Sequence, residues 1–244
     1  MAEGQVSLIW SDDWILVVDK PAGLLSLPDG YRRTEPHLRS ILEPRFGRLW
    51  IVHRLDRDTS GIMVLARSVQ AHHRLNDQFA SRAVRKTYHA LAWDSPEWDE
   101  LWVDQPLRKD GDREHRTVID PVRGKPARTF LRVAQRFRRG CLIEALPHSG
   151  YTHQIRAHLA WAGFPILADP LYRSPSPSSA EGSAGGLRAR STPAELALPI
   201  SRTALHALRI RFDHPLTGKE MTFEAPYPED FQGALHSLAA WPGS

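Results

Sequence analysis

The chain has 244 residues, enough for one large domain or two small ones sharing a core, and its 41% apolar and 25% charged composition is that of a globular protein. A formal net charge of +4 and a pI of about 9.4 fit a polyanionic partner without requiring one. The single cysteine, Cys141, excludes an internal disulfide framework and, set at the head of an apolar run, reads as a small buried hydrophobe. The first residues lack a basic stretch followed by an apolar one, so no signal peptide is expected. The longest apolar run, Leu159 to Ala168, is too short to span a bilayer. The expectation is a cytoplasmic protein with no membrane association.

In chain order, Val6 to Trp10 and Trp14 to Val18 read as two strands closed by the turn Asp19-Lys20-Pro21-Ala22-Gly23. Thr34-Glu35-Pro36 opens a helix that Gly47 stops. Trp50 to Val52 and Ile62 to Ala66 are strands on either side of a polar loop, and Ser68 caps a helix running to about Arg82. Strands follow at Tyr88 to Trp93, Thr129 to Phe137 and Cys141 to Leu146, then a helix over Thr152 to Ala162 with Gly163 after its end. Further strands lie at Ala204 to Phe212 and Glu220 to Glu224. Many strands, few helices and no βαβ rhythm argue for an α+β fold with a largely antiparallel sheet. The segment 173–201, rich in Ser, Pro, Ala and Gly, reads as a flexible surface insertion in a chain otherwise forming one domain over 1–244. Pro193 to Leu198 reads as a short helix within that segment, and its Arg188 and Arg190 could instead form an RNA-ordered clamp.

Two stretches carry chemistry. His53-Arg54-Leu55-Asp56-Arg57-Asp58-Thr59-Ser60-Gly61 packs five ionisable groups into six positions between two apolar strands, where a loop can present charge from a rigid scaffold or simply be solvated. His148 to His158 places polar groups at a helix N-terminus, where free N–H donors favour anions. His148, His153 and His158 are spaced by five, about 140° out of register on one helix, so no metal site is expected from them.

The loop HRLDRDTSG closely resembles the HRLDxxTSG signature of RluA-type RNA pseudouridine synthases. The resemblance extends through DKPAGL at 19–24, RKTY at 85–88, THQIRAH at 152–158, DPLY at 169–172, and LHA at 205–207 followed by HPLTG at 214–218. These blocks run in the family's order from about residue 8 to 228. They imply the pseudouridine synthase fold: a mixed, largely antiparallel sheet in two halves flanked by helices and loops, with the active-site cleft between the halves. They imply an isomerase acting on uridines in tRNA or rRNA, with a stem-loop as the partner. Uracil is neither oxidised nor hydrolysed in this reaction, so no cofactor and no metal are needed.

By resemblance Asp56 is the catalytic carboxylate, acting at the sugar as nucleophile or as base, which the sequence leaves open. Arg156 is its cationic partner, and Tyr88 is the aromatic residue against a flipped-out base. Arg54 fills the space the base leaves, and Ile155, His53, Lys86 and Thr59 complete the substrate-binding set. The same fold could also serve as an inactive RNA-binding protein, against which the intact set argues. Arg32, Arg33, Arg39, Arg45, Arg48, Arg85, Lys86, Arg108 and Lys109 are candidate phosphate contacts. Two departures stand out. Tyr151 occupies a position the family usually gives to arginine, and the Ser/Pro segment replaces a short connection. With the first family strand near Met1, no separate N-terminal RNA-binding module is expected. Nor is a protein partner, and a monomer is the expected state.

Overall fold

The computed structural model describes residues 6–28, 34–173 and 198–241. Of the expected insertion at 173–201, residues 174–197, with Arg188, Arg190 and all but the last residue of the helix expected over Pro193 to Leu198, lie outside the described residues, as do Arg32 and Arg33. The chain divides into two units, one formed by residues 1–88 and 206–228, the other by 89–205 and 229–244.

The first unit begins with β1 (Ser7–Ser11) and β2 (Ile15–Lys20), paired antiparallel. Strand β2 pairs antiparallel with β4 (Ser60–Ala66) from Ile15↔Ala66 to Lys20↔Gly61. The short β3 (Trp50–Ile51) also pairs antiparallel with β4. Every residue of β4 is buried, as expected of a central strand with an apolar run and no alternation. Its other neighbour is β11 (Leu205–Asp213), which runs parallel to it at His206↔Ser60 and Ala207↔Gly61 and carries β12 (Glu220–Glu224) antiparallel on its far part. Helix α2 (Val69–Ala80) is capped by Ser68, whose side chain accepts from Ala71 N–H, and it buries Ala71 and Leu75 in the core of this unit. Helix α1 (Leu38–Phe46) starts later than Thr34-Glu35-Pro36 suggests. Its cap is His37, which exchanges hydrogen bonds with Ser40.

In the second unit β5 (Arg85–Trp93), whose first four residues belong to the first unit, leads to the order β5-β10-β9-β6. Strands β9 (Arg128–Phe137) and β10 (Gly140–Pro147) form a long hairpin, and β6 (Glu100–Asp104) edges it antiparallel. A two-stranded ribbon, β7 (Leu107–Arg108) with β8 (Val118–Ile119), stands apart. Helix α3 (Gln154–Trp161) follows β10, and α4 (Glu229–Ala239) buries Phe231, Ala234 and Leu238. The α+β class and the largely antiparallel pairing expected from the sequence are found, with β4 and β11 pairing parallel. Among the described residues no helix is long and apolar enough to cross a membrane.

Gly61 shows how tightly the loop's exit is held. With φ +115°, a Cβ there would lie 2.3 Å from the Ala207 carbonyl oxygen and 2.7 Å from its nitrogen. Just beside it, Ser60 Oγ bonds Nδ1 of the fully buried His206 at 3.0 Å. Gly61→Ala should therefore cost roughly 3 kcal/mol or more, read as a lower urea midpoint with an unchanged slope.

Candidate active site

The loop 53–59 is fixed at nearly every residue. His53 Nε2 accepts the Val64 N–H of β4 at 3.0 Å, and its ring stacks on Phe79 of α2 with centroids 4.9 Å apart. An accepting Nε2 requires the neutral ring. Burial, aided by the Lys86 charge, agrees by pulling His53 down to about 3. Leu55 is clamped through Ser26, whose Oγ accepts its N–H at 3.1 Å and donates to its carbonyl at 2.8 Å. The Arg57 carbonyl accepts from Gly23 N–H at 2.9 Å and from Lys20 Nζ at 3.1 Å. Arg57 Nε donates to Gly23 O, and its guanidinium pairs with Glu35. Thr59, itself buried, donates its N–H to Asp56 O at 3.2 Å. Both sequence neighbours of Asp56 are thus tied to residues 20–26, so the DKPAGLLS segment sets where this half-buried carboxylate stands.

Lys20 is the centre of that arrangement. Its side chain is fully buried, and Nζ donates to three carbonyls, Pro21 at 2.9 Å, Leu24 at 2.8 Å and Arg57 at 3.1 Å. Three acceptors match the three donors of an ammonium, which makes burial of the charge tolerable. Asp19 beside it is raised to about 6, chiefly by burial.

Tyr88 and Lys86 leave the same stretch of β5. Burial first, and then the negative charge of Asp56, push the Tyr88 phenol up, so it is a protonated donor at neutral pH beside that carboxylate. Burial lowers Lys86 to about 8. Arg54 is exposed. The structure therefore brings Asp56, Tyr88, His53, Lys86, Arg54 and Thr59 into one unit, with His53 serving as an anchor of the loop through Val64.

In the second unit the THQIRAH segment builds its own network. Gln154 Nε2 donates to the Arg128 carbonyl at 3.1 Å and to Thr129 Oγ1 at 3.0 Å, while its Oε1 accepts from Ser149 Oγ and Tyr151 N–H. His158, fully buried, donates from Nε2 to Gln105 O at 3.0 Å and bonds Thr129 Oγ1 through Nδ1 at 2.8 Å. Burial draws it down to about 4. Arg156 forms a two-pronged pair with the buried Asp169, Nε to Oδ2 at 2.7 Å and Nη2 to Oδ1 at 2.8 Å, and lies 5.1 Å over the Tyr172 ring. Asp169 Oδ1 also accepts the N–H groups of Leu171 and Tyr172. Ile155 is buried, and Tyr151 packs on the small core that contains Leu107, Ala157 and Tyr172. His153 bonds the Tyr172 hydroxyl at 3.2 Å, and His148 lies edge-on to Trp102, so the three histidines have separate partners. Of the candidate phosphate contacts, Arg39 is paired with Glu43 and Arg108 with Asp120, whereas Arg85 is exposed.

Each unit thus holds a charged group in a fixed position, the first the Asp56 loop and the second Arg156 on Asp169. A profile of the RNA pseudouridylate synthase family matches residues 14–161. The chain is 35% identical over 250 residues to the ribosomal large subunit pseudouridine synthase D of Nitrosomonas europaea, covering 98% of this chain and 67% of that one. To the protein of the same name from Pseudomonas aeruginosa it is 35% identical over 247 residues, covering 96% and 72%. Among solved structures, human RNA pseudouridylate synthase domain containing 4 superposes with a TM-score of 0.73 at 23% identity, over 96% of this chain and 93% of that one. Human RNA pseudouridylate synthase domain containing 1 gives 0.68 at 22% identity over all of both chains, and these two establish the fold. The chain belongs to the RNA pseudouridylate synthase family and is an RNA pseudouridine synthase, an isomerase.

Two measurements test the anchoring. Lys20→Met takes this donor from the inward Pro21 and Leu24 carbonyls, leaving Arg57 O only the Gly23 N–H, and should cost about 3 kcal/mol in urea unfolding, with activity lost in proportion to loop order. The second is pH dependence. His53 and His158 sit below their ordinary 6.5, so between pH 6.5 and about 4 the unfolded chain takes up protons that the folded one refuses, and stability falls. Asp19, raised from 3.8 to about 6, works in the opposite sense over that window and offsets part of the loss. His53→Gln keeps an acceptor for Val64 N–H but cannot titrate. Its urea midpoint should drop less between pH 7 and 5 than that of the unaltered protein.

Proposed function

We propose that this chain converts a uridine of large-subunit ribosomal RNA to pseudouridine, with Asp56 as the catalytic carboxylate acting at the ribose. In this isomerisation the bond between N1 and carbon 1′ breaks and one between carbon 5 and carbon 1′ forms. The proton lost from carbon 5 is balanced by one gained at N1, so no oxidant, reductant or water is consumed. Asp56 acts at carbon 1′ or on the 2′ proton. Tyr88 stacks on the uracil of a flipped-out nucleotide and takes part in proton exchange. Arg156 supplies the permanent cation of the set. Arg54, exposed and two residues before Asp56, fills the space vacated in the RNA stack, and Lys86, Thr59 and Ile155 line the substrate.

The observation that carries this reading is the clamping of both neighbours of Asp56, through Ser26 to Leu55 and through Lys20 and Gly23 to Arg57. A carboxylate held this way need not reorganise as charge develops in the transition state. The Asp56 charge felt at Tyr88 supports putting the aromatic group beside it. Both bacterial relatives are named for the large ribosomal subunit, which supports rRNA as the substrate. A tRNA hairpin is the alternative that the same experiment examines.

Pseudouridine mapping of rRNA and tRNA incubated with the unaltered protein and with Asp56→Asn tests it. New sites in large-subunit rRNA are expected with the former, and a rate lower by roughly 10³-fold or more with the latter. Product on tRNA alone would reassign the substrate, and equal product from both proteins would remove Asp56 from the chemistry.

A further inference from the structure

The second unit carries an aromatic and cationic cluster that the reaction leaves unused. On β6, Trp102 is 43% exposed, a high value for a tryptophan in a sheet. It pairs across the strands with Phe130 of β9, which pairs in turn with Leu146 of β10, making an apolar row on the face opposite buried Thr129 and Leu131. The Arg128 guanidinium carbon lies over the indole, 3.9 Å from its centroid, and the exposed His148 meets the same ring edge-on at 5.1 Å.

Arg128 differs from its neighbours in how its donors are used. Arg108, Arg116, Arg132 and Arg136 all bond carboxylates or carbonyls at 3.3 Å or less. The nearest carboxylate to Arg128 is that of exposed Asp104 at 3.9 Å, beyond hydrogen-bond reach. The guanidinium therefore rests over the indole with about half of the side chain exposed and Asp104 only at ion-pair distance. Its backbone is not loose, because the Arg128 carbonyl accepts from Gln154 Nε2 and from His148 N–H. The cluster is thereby registered to the helix that carries Arg156.

We infer that Trp102, Arg128 and His148 form a platform for an unpaired nucleobase of the RNA substrate, distinct from the uridine that reacts. This rests on the RNA-modifying reading above. A planar guanidinium on an indole offers a base a flat face, and its N–H donors suit the adjoining phosphate. Every base has such a face, so the platform adds affinity with little sequence preference.

The probe is a fluorescein-labelled uridine decamer, with 5-iodouridine replacing uridine for photocrosslinking. Trp102→Ala and Arg128→Ala should each bind it about tenfold more weakly, the range of one lost base stack. Trp102→Phe, which keeps a ring, should stay within about threefold. The crosslink on the unaltered protein should fall on the peptide containing Trp102, and it needs no variant, so it decides even where a substitution lowers the melting temperature. Unchanged affinity in both alanine variants, or crosslinks confined to other peptides, overturns the platform. If the unaltered protein modifies RNA while these variants bind as it does, the platform alone falls. If it modifies no RNA yet the variants lose the decamer, the platform stands and the catalytic reading falls.

Discussion

A buried ammonium with three carbonyl partners organises the first unit. Lys20 ends β2 inside the protein, and its Nζ ties the turn at Pro21 and Leu24 to the loop at Arg57. Without acceptors such a charge would be expelled or lose its proton, and without the charge the Pro21 and Leu24 carbonyls would lose this donor and the Arg57 carbonyl one of its two. Each side of the arrangement requires the other. The loop therefore cannot shift without exposing or stranding a charge. That is a sharper constraint than apolar packing, which tolerates small displacements. Ser26 and Gly23 add neutral hydrogen bonds on either side, and His53 pins the loop's entrance to β4.

The second unit solves the same problem without a buried lysine. Thr129 stands between Gln154 and His158, accepting from the amide and bonding the imidazole. One hydroxyl thus sets the position of two successive turns of α3. Arg156, between them in sequence, is then held by the bidentate Asp169 carboxylate, which is itself fixed by two backbone N–H groups. A guanidinium has five donors and Asp169 engages two, so the pair orients the group without exhausting it. Both units thus spend buried polar groups on positioning. That suits an isomerisation that depends on charge held in the right place.

Most elements were legible because their signals are local. The uninterrupted apolar run of β4, the Ser68 cap and Gly163 after α3 each depend on a few adjacent residues. What was missed depends on partners far along the chain. The segment from Glu100 to Ile119 forms three short strands whose alternation is diluted by turn residues, and β6 exists because β9 lies beside it. Helix α4 carries a local signal as well, Pro228 before Glu229 and Asp230, with Phe231, Ala234 and Leu238 on one face. Helix α1 begins at His37 because an imidazole took the capping role usually read from Ser, Thr, Asp or Asn.

The site shows the same division more sharply. The sequence motif marks His53, Gln154 and His158 as strongly as Asp56, because a motif records that a residue type is needed without recording why. Geometry separates the reasons. His53 and His158 are neutral, and each has a backbone partner fixed at 3.0 Å, so proton transfer by either would break an anchor. Asp56 and Tyr88 are only half-buried, and the aspartate's charge is felt at the phenol. Lys20 read from sequence as a turn residue after a strand that ends at Val18, although it belongs to β2 and its side chain is fully buried. Only the return of residues 53–59 against 20–26, a contact across more than thirty residues, makes that burial possible. A single sequence shows both segments but not their meeting.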